Sequence, residues 1–311
     1  MKFIILMILN FFAVNSLACV ERSCEAKRIV IILSPSDGEL WSDKMIDGFS
    51  SELFTTKLKF SRYIIGWSYD ETDERILNDV KQAKPDLVFF PSSHLYKRFS
   101  KLIPEKTDAE VMFTSCVFDK SELENLPIDN DLGVYSIHPV KYLMEEAKKV
   151  KQIESVGIVS GTVGADGSEN IVKALKGIVD VELVVTDSVD VYRKKTQQFA
   201  RKHDAVMPIA PLGIKDSQGN WVAPEQMGSI IEEINEITLG YGRISGVERT
   251  IELNIDPKSI GRAAAYASYD YFSSGKKRVK VKESQGLRIS QKSIQKLNLT
   301  VPDHLKKYVH P

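Results

Sequence analysis

Long apolar runs, an excess of one charge and clustered metal ligands are all missing from most of this sequence. Each absence excludes something. Lys and Arg together number 42, and so do Asp and Glu. Balanced charge removes bulk attraction to DNA, RNA or an anionic membrane surface as a driving force, although it leaves room for a charged pocket. No nucleic-acid partner is expected. The chain has three cysteines, none beside a histidine at zinc-ligand spacing, and its five histidines (His94, His138, His203, His304, His310) are scattered. No metal or cofactor is expected from such a set. The glycine-containing stretch 161–167 lacks the Gly-Lys-Ser or Gly-Lys-Thr ending of a nucleotide phosphate loop, so it reads as a turn or a solute loop. Cys116 has no histidine partner in sequence, which leaves a nucleophilic enzyme unsupported.

The one long apolar stretch lies at the start. Lys2 precedes residues 3–12, which are apolar except for Asn10, and small residues Ser16 and Ala18 follow. This reads as a signal peptide over 1–18 with cleavage after Ala18, and the run is too short for an ordinary spanning helix. An exported, soluble mature protein is expected. Cys19 has two readings. It stands where a lipid could be attached, holding the protein to the outer face of a membrane, although Ser16 occupies the position usually taken by a bulky aliphatic residue. Alternatively, export permits a Cys19–Cys24 disulfide. Cys116 is left over, expected to be buried at a strand end.

What remains is rich in pattern. Hydrophobic residues make up 43% and charged residues 27% of 311 residues, a globular composition long enough for two domains. Residues 29–33 form an apolar strand signal, and Trp41, Met45, Phe49 and Leu53 follow at helical spacing. Further strands are expected at 57–65, 86–90, 110–114 and 132–137, with a helix over 70–83. A second block repeats the alternation: helix 139–150, strand 156–160, helix from 168, strand 181–185, helix 189–200, strand 205–209, helix 224–234 and strand 237–241. The expected fold is therefore α/β, with two doubly wound, mostly parallel sheets covered on both faces. Asp256-Pro257 is a helix start, and Ala263, Ala264, Ala265 and Ala267 give that helix a small, closely packing surface. The tail is too short for a third domain and is expected to complete the two lobes. The first lobe then comprises 27–137 and about 245–276, the second 138–244 and about 279–311.

Three regions carry a resemblance: strand 29–33 with its polar turn and the helix from Trp41, strand 156–160 with its turn through Ser168, and Asn254-Ile255-Asp256-Pro257 followed by Ile260-Gly261-Arg262-Ala263-Ala264. The ending through Leu297 and Val301-Pro302 adds to it. In this order the sequence resembles the bacterial ABC-transporter substrate-binding family, whose members adopt a type I periplasmic-binding fold and include amino-acid binders. It departs where the family often has Asp-Pro-Val, here Ser115-Cys116-Val117, and where an Asn-Pro turn is common, here Gly161-Thr162. The family's Pro-Gly-Gly-Asn insertion between lobes is also missing.

The resemblance implies a non-enzymatic protein that captures a small solute, an amino acid or related compound, between its lobes for an ABC permease. A receptor presenting its solute to a membrane sensor, or an exported α/β hydrolase, are the other readings. The implied ligand loops follow strand carboxyl ends. They place Ser34, Ser36, Asp37, Ser92, Ser93, Thr114 and Ser115 in the first lobe, and Thr162, Ser168, Asp187 and Tyr241 in the second. Hydroxyls and backbone amides suit a ligand carboxylate, and Asp37 or Asp187 an ammonium. Trp41, Trp221 and Tyr241 are the aromatic candidates, with core packing the competing role for Trp41.

Overall fold

A computed structural model describes residues 26–33, 39–56, 58–66, 72–125, 131–209, 213–241, 248–284 and 286–311. The expected signal peptide, Cys19, Cys24, Ser34, Ser36 and Asp37 lie outside the described residues.

The first block runs β1 (Lys27–Leu33), α1 (Glu39–Thr55), β2 (Phe60–Gly66), α2 (Asp73–Ala83), β3 (Leu87–Phe90), α3 (Ser93–Phe99), α4 (Leu102–Lys106), β4 (Glu110–Val117) and β5 (Gly133–Ile137). Its strands are parallel in the order β2-β1-β3-β4-β5. β1 and β3 have buried centres because alternate side chains go to opposite faces: Ile29, Ile31, Leu87 and Phe89 meet α1, while Val30, Ile32, Val88 and Phe90 meet α2 and α3.

The second block repeats the scheme: α5 (Val140–Val150), β6 (Ser155–Gly161), α6 (Ala165–Leu175), β7 (Asp180–Thr186), α7 (Val189–Lys202), β8 (Ala205–Ile209), α8 (Pro224–Glu232), β9 (Ile237–Tyr241) and β10 (Ile251–Leu253). Its order is β7-β6-β8-β9-β10. Each lobe thus has the order of a doubly wound sheet whose first and third strands flank a topological switch point. This is the type I periplasmic-binding architecture that the sequence resemblance implies.

The tail departs from the expected division. β10 falls within the stretch expected in the first lobe, but it pairs in parallel with β9, in the second sheet. Its three side chains, Ile251, Glu252 and Leu253, are all buried, so both faces of the strand are covered. α9 (Pro257–Ser274) then returns to the first lobe, β11 (Val279–Glu283) pairs with β5 there, and β12 (Leu287–Ser290), α10 (Gln291–Lys296) and β13 (Val309–His310) finish the second sheet. β11 is therefore a first-lobe strand, although it lies in the stretch expected in the second lobe. The chain crosses between sheets three times, near 138–139, 254–256 and 284–286.

The return of α9 rests on a close helix crossing. α9 starts at Asp256, whose carboxylate accepts the Lys258 N–H at 3.0 Å, with Pro257 in the first turn. Its alanines Ala263, Ala264 and Ala267 are buried against α1 and the sheet. A Cβ placed on Gly261 would overlap the backbone carbonyl of Met45, and one on Gly48 would overlap the carbonyl of Lys258. The two backbones therefore touch at both glycines. Gly261→Ala should destabilise the protein by about 1–3 kcal/mol in urea unfolding, because neither backbone can yield locally. In an unconstrained helix the same change would stabilise by up to about 1 kcal/mol, so the sign of the measured change tests the crossing.

Candidate functional site

In each sheet the five strands of the 2-1-3-4-5 core point the same way, so each lobe gathers its strand carboxyl ends along one edge. The first crossing joins the end of β5, Ile137, to the start of α5 at Val140, and the second leaves β10 at Leu253. Such short connections bring the two carboxyl edges towards each other. Between them lies the place where an open α/β sheet receives ligands.

Aromatic rings bridge the lobes there. Phe118, just beyond β4 of the first sheet, is buried in the core of the second lobe. Its ring lies 5.3 Å from Tyr241 at the end of β9 and 5.8 Å from His138 at the first crossing; His138 and Tyr241 are 5.1 Å apart. The Tyr241 phenol is held above its ordinary range by burial and, secondarily, by the neighbouring Cys116. Tyr241 and Cys116, one from each lobe, therefore share one site.

Cys116 does not have the buried surface expected for it. It stands at the end of β4 with its side chain exposed. Surrounding protein nevertheless pushes its thiol up to about 12. At neutral pH it is a thiol, a poor nucleophile. His138 is almost wholly buried, and desolvation lowers its pKa to about 3, so its ring is neutral. Its Nε2 is 2.9 Å from the Ser136 hydroxyl, while Nδ1 is buried without a hydrogen-bond partner. The central floor formed by Cys116, Phe118, His138 and Tyr241 is thus aromatic and uncharged.

Arg249 lies beneath it. β8 carries Pro208 inside a central strand, where proline removes a ladder donor. The β8–β9 ladder contains only Ala205↔Ile237 and Val206↔Thr238. Beyond it, the buried Arg249 donates through Nε and Nη2 to the Pro208 carbonyl, at 3.2 and 3.0 Å. A Cβ on Gly240 would collide with the Arg249 stem, so glycine makes the space for this insertion. Glu252 faces the guanidinium at 3.7 Å. Sequence reasoning passed over Arg249, His138 and Phe118 as site residues. The only local signals were a proline in an apolar strand and a glycine one residue before Tyr241.

The residues expected at the site divide. Tyr241 is central. Ser92 caps α3 without bonding its backbone, and its hydroxyl is buried without a partner; Ser93 opens that helix. Thr114 is buried, with its hydroxyl given to the Phe90 carbonyl at 3.3 Å, so it ties β4 to β3. Ser115 is half-buried one residue before Cys116. Thr162 is exposed after β6, and its hydroxyl donates to Gly213 O at 3.2 Å. Ser168 lies inside α6, fully buried and bonded to Gly164 O at 2.8 Å, a structural position. Asp187 is exposed beyond β7, the outer strand of its sheet, away from the switch point. Trp41 packs on the first-lobe core, and Trp221 lies under Lys215 Nζ at 4.4 Å. At the rim, Lys97 of α3 and Asp166 of α6 join the lobes by an exposed 2.5 Å ion pair.

No protein-family model and no curated protein matches this sequence. Solved structures do match it in shape. One is an ABC domain in complex with L-Trp from Streptococcus pneumoniae, with 17% identity, 92% of this chain and 100% of that chain covered, and a TM-score of 0.67. A conserved domain protein from Vibrio cholerae gives 15% identity, 92% and 99% coverage, and a TM-score of 0.69. The ligand-free, open structure of a substrate binding protein with adhesive properties from Clostridium difficile gives 13%, 91% and 98%, and 0.58. At these identities the likeness establishes the two-lobed fold.

Two predictions follow from the floor. A histidine whose folded pKa is depressed stabilises only while the unfolded chain is also neutral. Stability should be full above about pH 6.5 and fall as pH drops towards 3, with His138 contributing up to about 1.4 kcal/mol per pH unit. His94, lowered to about 4 by burial and then by Arg98, adds in the same direction. Denaturation of His138→Phe across this range should show a shallower acid loss than the wild type. Arg249→Met should cost about 1–3 kcal/mol, since it removes both donors to the Pro208 carbonyl and one of the two cations, with Arg288, that face the buried Glu252. A near-neutral effect in calorimetry would remove Arg249 from its bracing role.

Proposed function

We propose that this chain is an extracytoplasmic solute-binding protein that captures an amino acid or related small solute between its lobes and delivers it to an ABC importer. The observation that carries this reading is the meeting of two sheet carboxyl edges over the uncharged Cys116, Phe118, His138 and Tyr241 floor. Aromatic walls supply apolar contact area, while a few hydroxyls and backbone amides orient a ligand. The floor accordingly favours a ligand with an apolar or aromatic part, a chemistry represented by the L-Trp bound to the Streptococcus pneumoniae relative. Ser36 and Asp37, which follow β1 in sequence, and Ser92 are the proposed polar partners of its carboxylate and ammonium. Asp187 is the weaker candidate for the ammonium because it follows an outer strand.

The proposal excludes turnover. A protonated thiol and a neutral histidine on the floor accord with binding alone. Three connections allow the lobes to hinge, and a ligand touching both favours their approach.

Mass spectrometry of solute released from gently purified protein should find an amino acid or close relative, unaltered. In calorimetry with that solute, Tyr241→Ala should weaken binding about tenfold, consistent with an aromatic contact worth about 1 kcal/mol or more. Chemical conversion of the solute, or unchanged affinity in folded Tyr241→Ala, would overturn the reading.

A further inference from the structure

Phe118 packs in the lobe to which its strand does not belong. It follows β4, a first-lobe strand, yet every other buried member of the apolar core around it comes from the second lobe. The side chain is only 3% exposed. Its ring faces Tyr241 of β9 and His138 at the first crossing, and a Cβ added to Gly167 of α6 would meet it at 3.5 Å. A first-lobe side chain thus fills an aromatic pocket of the other lobe.

The segment behind that ring is anchored to both lobes. The Glu122 carboxylate accepts the Phe118 and Asp119 N–H groups at 3.2 and 2.8 Å, which fixes the backbone at the insertion. Leu123 then packs on Phe113, Val117 and Tyr135 of β4 and β5, and Lys120 pairs with Glu283 of β11 at 3.0 Å. Towards the second lobe, Asp119 pairs with Lys141 of α5. That lysine, together with the Ser121 N–H, holds the Asp119 carboxyl at about 2, well below its ordinary range. Parting the lobes breaks one anchor or the other. If the segment stays with the first lobe, a buried aromatic ring is drawn into water and the Asp119 pair is lost. If it follows the second, Leu123 and Lys120 leave their partners. At the rim, Lys97 pairs with Asp166, the residue before Gly167, so the first lobe grips the first turn of α6 at two points.

We propose that residues 118–123 are a built-in clasp, with the Phe118 ring as its catch, that keeps the two lobes together when no solute is bound. The chain's own side chains make every one of these contacts, so closure needs no bridging ligand. A solute then meets a cleft already near its binding arrangement, and its apparent affinity carries little penalty for closing. In that respect the clasp rests on the solute-capture reading and gives the cleft its resting state. The clasp itself depends only on contacts between the lobes.

Small-angle scattering of protein stripped of solute by unfolding and refolding tests this. The wild type should give the radius of gyration of the present closed arrangement. Phe118→Ala should raise it. Asp119→Lys combined with Asp166→Lys, which sets like charges at both ion pairs, should raise it too, and adding Lys141→Asp with Lys97→Asp should restore it. This charge exchange decides the matter even if Phe118→Ala misfolds. A solute-free wild type wider than the closed arrangement overturns the proposal. So does a radius indifferent to both the Phe118 and the charge changes. Neither result bears on solute capture, which fails separately if mass spectrometry finds no solute released from the gently purified protein.

Discussion

The crossing of α1 and α9 at Gly48 and Gly261 is the constraint on which the two-lobed arrangement depends. β10 ends in the second sheet, so α9 must find a reason to cross to the first. Contact between helix backbones supplies it. The two glycines let the axes approach until backbone meets backbone, and the alanines of α9 complete a small-residue face against Met45, Phe49 and the sheet. Dispersion contacts at such a crossing are individually weak, but they are many and leave no void. Once α9 is held, β11 is delivered to β5, and the chain must cross again to place β12 beside β10. One helix packing thus creates two of the three interlobe strands of chain.

Within the second lobe, a different device shapes the floor. A proline in a central strand would ordinarily leave a defect in the sheet. Here Pro208, Gly240 and Arg249 answer one another: the first lacks a ladder donor, the second leaves room, and the third reaches in to occupy the Pro208 carbonyl. Glu252 opposes the buried charge. A buried pair of this kind adds little net stability over a well-packed apolar alternative, while losing one member is destabilising. Its structural consequence is local. It separates the ends of β8 and β9 beside Tyr241, where the cleft floor is formed.

That floor and the rim have different physical characters. Burial keeps His138 neutral and the surrounding protein keeps Cys116 a thiol, so the floor presents rings and a thiol without fixed charge. The rim pair Lys97–Asp166 is exposed, and such a pair shifts an equilibrium by at most about 1 kcal/mol. A contact between lobes this weak is one that the proposed solute could outweigh. Apolar contact below and weak electrostatics above accord with the capture role proposed for the cleft.

The strands and helices were legible because their physics is local. The continuous apolar runs of β1 and β3, the helical spacing of Trp41 to Leu53 and the Asp256-Pro257 start all follow from neighbours within one or two turns. The same holds for placing ligand loops after strand ends, since parallel strands alternating with helices leave few other choices. That rule placed Tyr241 at the end of β9, where the fold sets it beside Phe118 and His138. Lobe membership of the tail was not legible: β10 and β11 are short strands that fit either sheet, and only pairing with β9 and β5 assigned them. Thr114 and Ser168 look like ligand hydroxyls in sequence, yet Phe90 and Gly164 carbonyls take their hydrogen bonds in the fold. Conversely, Phe118, His138 and Arg249 gain their places from residues on other strands or in the other lobe. The sequence by itself determined the alternation, the doubly wound lobes and the end of each sheet where a site can form. Tertiary structure alone decided which side chains meet there, because burial, backbone proximity and spare hydrogen-bonding capacity are set by contacts between distant segments.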